Sequence, residues 1–177
     1  MLRIVRTDKS DIQLKAMMAV HYSHPKGFVG RQLIYKIFYD KIFYGCIAFG
    51  SATRFLPGRN YGWELCEGMN NTFYHIEKQN GKYPKRNFTT LVLLEAEKLA
   101  LVDYQNKYGD KVKWIESLVE LPRMGELYLK AGYKLVGQTK GYTCKRVAGI
   151  STDSWTGKRV WDTVNLRPKN VFLKEIK

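Results

Sequence analysis

The chain has 177 residues, enough for one domain that buries a sizeable core without metal or disulfide staples. Hydrophobic residues make up 45% of it, which argues against disorder, and no run of about 18 apolar residues predicts a transmembrane helix. Thirty Lys and Arg against 16 Asp and Glu leave a formal charge of +14, which points to polyanionic partners such as nucleic acid or a phosphorylated donor, and only weakly to a membrane. Three widely spaced Cys, at 46, 66 and 144, form no CxxC pair, and three His are too few for a familiar zinc site. They read as reduced, buried thiols of a cytoplasmic protein. The first residues hold Arg3 and Arg6 and no apolar run of signal-peptide length.

In chain order, a strand at Leu2–Arg6 precedes a helix through Ile12, Leu14, Met17 and Met18, with Asp8 or Ser10 as its cap. Residues 23–30 are loop. Leu33, Tyr35, Ile37 and Tyr39 alternate along the first strand of a hairpin, which turns at Asp40-Lys41 into a second strand, Ile42–Phe49. Residues 51–71 read as irregular loop with a short strand near Trp63–Cys66, and Thr72–Ile76 as a strand. The stretch 78–86 carries four basic residues and no acid, and Asn87 is placed to cap a long helix. Phe88, Val92, Ala96, Leu99 and Val102 predict its apolar stripe. Lys111–Leu118 is a strand. Pro122 opens a short helix with inner face Met124, Leu127, Tyr128 and Ala131, ended by Gly132. Tyr133–Val136 and Gly141–Lys145 complete the core. This predicts an α/β fold on one twisted mixed sheet, with residues 1–147 as the domain and 148–177 as a basic extension packed on it.

The segment from Gly125 to Gly137, with Leu127-Tyr128 on a short helix and Gly132-Tyr133 leading into a strand, resembles the C-terminal signature of the GNAT acyltransferase superfamily. The element order fits the same fold. GNAT enzymes that use acetyl-CoA carry a Gln/Arg-x-x-Gly-x-Gly/Ala loop before the long helix, whose N–H groups cradle the pyrophosphate. Here that place holds Lys82-Tyr-Pro-Lys-Arg-Asn87, with Gly81 nearby. Lys82, Lys85 and Arg86 are the candidate donor-binding residues, beside a helix N-terminus that favours an anion.

A narrower resemblance is to the phage Mom DNA-modification proteins. It rests on His21-Tyr22-Ser23, on Gly45-Cys-Ile-Ala-Phe-Gly50, and on Val112–Glu120 followed by Gly125-x-x-Tyr128. DruA-like defence proteins share the His-Tyr opening and the Gly-x-x-Tyr run up to Thr139. Glu120 stands where Mom-like proteins have Asp, which keeps the carboxylate and lengthens its reach. The resemblance implies transfer of an acyl or carbamoylmethyl-type group to adenine N6 in double-stranded DNA, an anti-restriction modification. The donor it implies is acetyl-CoA or an aminoacyl-tRNA such as glycyl-tRNA, with iron as a further expectation and His21 as its ligand.

Acylating an amine needs a proton acceptor, an electrophilic donor and an oxyanion site. His21, Tyr22, Ser117, Glu120 and Tyr128 are the candidate catalytic set, expected in one cavity where central strands part. Glu120 or His21 would be the base, Ser117 or Tyr128 would orient a substrate, and Tyr22 would stack on a flipped base. Residues 140–177 hold nine basic and three acidic residues, interleaved with Tyr142, Trp155, Trp161 and Phe172. Arg54, Arg59, Lys140, Lys145, Arg146, Lys158, Arg159, Arg167 and Lys169 are the candidate nucleic-acid contacts. The competing expectations are an N-acetyltransferase of a protein, tRNA or small amine, and a non-catalytic nucleic-acid-binding module.

Overall fold

The computed structural model describes residues 1–22, 28, 30–54, 56–59, 64–140, 142–146, 161–165 and 167–176, with only the backbone of 142–146 and 161–165. Its elements are β1 (Leu2–Thr7), α1 (Ile12–Val20), β2 (Gln32–Tyr39), β3 (Ile42–Ser51), β4 (Gly68–Ile76), α2 (Phe88–Tyr108), β5 (Trp114–Glu120), α3 (Glu126–Lys130), β6 (Lys134–Gln138), β7 (Tyr142–Arg146), β8 (Trp161–Asn165) and β9 (Lys169–Glu175). Seven strands form one sheet in the order β1-β2-β3-β4-β5-β9-β6. Only β4 and β5 run parallel, because the α2 crossover joins them, whereas the tight turn at Asp40-Lys41 makes β2 and β3 antiparallel. Both turn residues have positive φ, 46° and 68°, the backbone that matches strand twist in a two-residue hairpin.

The alternation in β2 sorts the two faces. Leu33, Tyr35 and Ile37 pack under α2 with Phe88, Val92, Ala96 and Ala100. Ile34 points the other way and joins Leu14 of α1, Cys46, Ala48 and Phe73. Each fully buried Leu, Ile, Val or Phe among them contributes roughly 1.5–3 kcal/mol. The α2 stripe differs from the expected one. It runs through Phe88, Val92, Ala96, Ala100 and Tyr104 at steps of four, while Leu99 and Val102 are exposed. Steps of four advance about 40° each on a helix of 3.6 residues per turn, so the buried line moves around α2 along its length.

Several local expectations are corrected. The α1 cap is Asp11, whose carboxylate accepts from the Gln13 and Leu14 N–H groups, while Asp8 holds the preceding turn through Ser10. Asn87 sits in the left-handed region and makes no side-chain cap bond. Leu65–Glu67 is a 3₁₀ turn where a short strand was expected. The short helix begins at Glu126, after Gly125 at its N-cap and not at Pro122, which leaves Met124 exposed. Cys46 is buried and Cys66 exposed; both are free thiols, so burial holds for only one of the two described.

The largest correction concerns the C-terminus. Residues 169–175 are no peripheral extension: β9 lies between β5 and β6 and bonds to both, with Val171 and Phe172 fully buried. A boundary at 147 therefore cuts through the sheet. The segment expected as a last core strand, Gly141–Lys145, instead gives β7, which pairs with β8 in a separate two-stranded ribbon. No described helix is long and apolar enough to cross a membrane.

Candidate active site

β4 and β5 pair over only four positions, from Gly68–Trp114 to Asn71–Ser117. β4 then continues to Ile76 and β5 to Glu120 without pairing to each other. β5 stays bonded to β9 as far as Glu120–Lys169 and β4 to β3 as far as Ile76–Gly45, so the sheet parts between β4 and β5 while each keeps its other neighbour. A bulge marks the place: Phe49 opposes Asn71 and Ala48 opposes Phe73, which leaves Thr72 as the extra residue. Such an insertion bends a strand and changes which face the following side chains meet. Met69 lies under α2 and Phe73 against α1, as an even count between them would otherwise forbid. The bulge is internally satisfied, since Asn71 Nδ2 donates to the Ala48 and Phe73 carbonyls at 3.0 and 3.2 Å.

A cavity of about 240 Å³ fills the opening. All five expected side chains, His21, Tyr22, Ser117, Glu120 and Tyr128, line it, together with Asn70, Asn71, Thr72, Phe73, Tyr74, Leu118 and Lys169. His21 arrives from the end of α1 and is buried among rings, 4.3 Å from Tyr22, 4.8 Å from Phe73 and 5.5 Å from His75, centroid to centroid. Ser117 is the last β5 residue paired to β4. Glu120 ends β5, with Arg167 3.7 Å away.

Tyr128 reaches the cavity from α3 because Gly125 starts that helix at φ +71°, where a Cβ would also collide with the Phe172 ring. The Tyr128 ring stacks on Phe172 at 5.6 Å. Its hydroxyl donates to Asn71 Oδ1 at 2.6 Å, and Ser117 lines the same cavity beside it. Burial pushes its pKa above the ordinary value, and the neighbouring Ser117 only partly offsets this. Tyr128 therefore keeps its proton at neutral pH, as a proton donor must. Tyr22 is 36% exposed, and burial of the rest of its side chain likewise raises its pKa, opposed by the nearby Arg123 charge. Tyr22 and Glu120 both line the cavity, one from the end of α1 and the other from the end of β5.

Below the cavity, Glu116 is fully buried and paired with Arg59 at 3.3 Å; Asn70 Nδ2 donates to it at 3.2 Å, and the Thr53 N–H also bonds it. Arg59 further donates to the Thr53 and Arg54 carbonyls at 2.5 and 2.7 Å. This corrects its expected role: buried, paired with Glu116 and bonded to two loop carbonyls, Arg59 serves the fold rather than a phosphate. Lys169 is half-buried and belongs to the cavity wall. Arg54, Lys140 and Arg167 are exposed. Lys158 and Arg159, and the side chains of Lys145 and Arg146, lie outside the described residues.

Lys82, Lys85 and Arg86 are exposed beside the α2 N-terminus. Their loop is closed by reciprocal backbone bonds between Gln79 and Lys82, both 3.0 Å, and anchored by Tyr83 against Phe88. No group of three or more His, Cys, Asp or Glu among the described residues is placed to hold a metal ion. The residues present do not fit the expected iron. Sequence reasoning missed Asn71, Tyr74 and Arg123. Two Asn in the middle of a strand, residues that β-sheets disfavour, were the available signal for the first.

No family model matches the chain, and no curated protein matches it. Its structure is nonetheless that of the GNAT acetyltransferase fold. An acetyltransferase of Bacillus subtilis solved in complex with CoA superimposes over 100% of both chains with TM-score 0.62 at 12% identity. A GNAT family acetyltransferase from Elizabethkingia anophelis with acetyl-CoA bound gives 0.60 at 12% identity over 99% of this chain and 98% of that one. An IAA acetyltransferase from Bacillus cereus gives 0.61 at 13% identity over 99% and 100%.

Proposed function

We propose that this chain is a GNAT-type acyltransferase that modifies an amine, with its reacting centre in the opening between β4 and β5. One observation carries the reading. The splay holds a proton donor, Tyr128, held by Asn71, with Ser117, a carboxylate, Glu120, and an imidazole, His21, lining the same cavity. The amine lone pair attacks the acyl carbon while Glu120 or His21 takes the amine proton. The tetrahedral oxyanion collapses, the bond to the donor's leaving group breaks, and Tyr128 supplies the proton that group needs. Backbone N–H groups of β4 beyond Asn71, which β5 does not pair, are the source of oxyanion stabilisation.

The acceptor within that class is the N6 amine of adenine in double-stranded DNA. Support comes from five residues of the Mom-like pattern, His21, Tyr22, Ser117, Glu120 and Tyr128, that line one cavity, from aromatic walls suited to a flat base, and from the charge of +14. An N-acetyltransferase of a protein, tRNA or small amine is favoured by the CoA-bound neighbours. Calorimetry separates the two. The DNA reading expects duplex binding that weakens steeply with salt and weak CoA binding, because no glycine-rich loop precedes α2. A low-micromolar CoA constant lost in Lys85→Ala/Arg86→Ala, without duplex binding, would make the chain an ordinary acetyltransferase.

A further inference from the structure

Arg123 stands in the turn between β5 and α3, with its guanidinium carbon 3.6 Å from the Tyr22 ring centroid. The next shortest cation–ring contact among the described residues is 4.9 Å. At that range a planar guanidinium covers the ring face as a flat ligand would. The side chain is exposed and has no carboxylate in salt-bridge range among the described residues. Its backbone is fixed, since Arg123 N–H donates to the Glu120 carbonyl at 3.2 Å and Leu121 N–H to the Pro168 carbonyl at 3.0 Å. The Tyr22 ring also packs against His21, with centroids 4.3 Å apart.

The position matters because Tyr22, Tyr74 and Tyr128 are shared by two cavities. One is the polar chamber already described. The other, about 260 Å³, is walled by these rings with Val119 and Leu127, and Arg123 is at its side. A flat group that slides onto Tyr22 from outside must displace Arg123.

We propose that Arg123 is a phosphate-binding gate: it covers Tyr22 in the free protein, yields that face to an extruded base, and takes the phosphate of the same nucleotide. This rests on a nucleic-acid base being the acceptor. The exchange suits arginine, whose guanidinium stacks on aromatics and pairs with phosphate oxygens through two parallel N–H bonds. A lysine would keep the charge but cover the ring poorly.

The test compares a duplex carrying one bulged adenine with the same duplex fully paired, by fluorescence anisotropy across about 50–200 mM salt, a range over which phosphate contacts are read. The full-length protein, Arg123→Ala, Arg123→Lys and Tyr22→Leu are measured, each checked for folding by circular dichroism. The unaltered protein prefers the bulged duplex. Arg123→Ala lowers affinity for it about fivefold to tenfold and flattens its salt slope by about 1, while the paired duplex is unaffected. Arg123→Lys keeps the slope, and Tyr22→Leu loses the preference but keeps the slope. Equal losses on both duplexes would make Arg123 a general surface charge and overturn the gate, as would no loss on either. Failure of the unaltered protein to bind either duplex would overturn the acceptor reading and the gate together; a bulge preference indifferent to Arg123 overturns the gate alone.

Discussion

The two halves of the β4–β5 seam are built from neighbouring residues and behave as opposites. In the paired half, Glu116 and Asn70 face each other with Arg59 and Thr53, buried and mutually bonded. One residue further on, Ser117 and Asn71 open into a cavity, where Tyr128 bonds Asn71 and the strands part. The paired half contains a charge that is fully matched and closed to solvent. The open half keeps Glu120 at the mouth, with only a long contact to an exposed arginine. The difference shows that buried charge by itself does not mark a site: the catalytic candidates are the groups beside unpaired strand edge.

The comparison can be broken most forcefully from below. Glu116→Ala leaves Arg59 buried without its counter-ion, and losing one partner of such a pair costs about 3–5 kcal/mol. Thermal unfolding should show it, and a stability loss under about 1 kcal/mol would mean that the node is better solvated than its burial indicates.

In the open half the expected pattern reverses. Tyr128→Phe removes one hydroxyl and should cost only about 1 kcal/mol of stability. It should lower the transfer rate about 100-fold or more, as loss of a positioned proton donor does. Unchanged transfer would make Tyr128 a core residue.

A control away from the seam gives the smallest effect. Burial alone would raise the Asp11 carboxyl, but bonds from Lys36, Thr7 and the Leu14 N–H outweigh it and hold it at about 2, below its ordinary 3.8. Its folded-state pKa is depressed, so its stabilisation is present above about pH 3.8 and is lost as pH falls toward 2. Asp11→Asn should flatten the acid limb of the stability curve in that window and leave transfer at neutral pH unchanged. An unaltered acid limb would contradict the assignment.

Much of this was legible in the chain. The hairpin alternation and the Gly125-to-Gly137 signature gave the fold, and the motif residues led to the cavity although His21 and Tyr128 are more than a hundred positions apart. What stayed hidden depends on long-range pairing. Arg59 looks like any loop cation until Glu116, itself an ordinary alternate residue of β5, is brought beneath it. Lys169–Glu175 follows a basic stretch and reads as tail, because nothing local announces that β5 and β6 leave a gap for it. Arg123 carries no motif; its role comes from Tyr22, delivered by another element.

The central claim is that the β4–β5 opening transfers an acyl-type group to adenine. Nucleoside mass spectrometry of DNA from cells expressing the chain tests it most directly, with Ser117→Ala and Glu120→Gln in parallel. The account predicts a mass-shifted deoxyadenosine that is strongly reduced in both variants while both remain folded. Unmodified deoxyadenosine from cells containing abundant folded protein would contradict it, and so would a modification that both variants still produce in full.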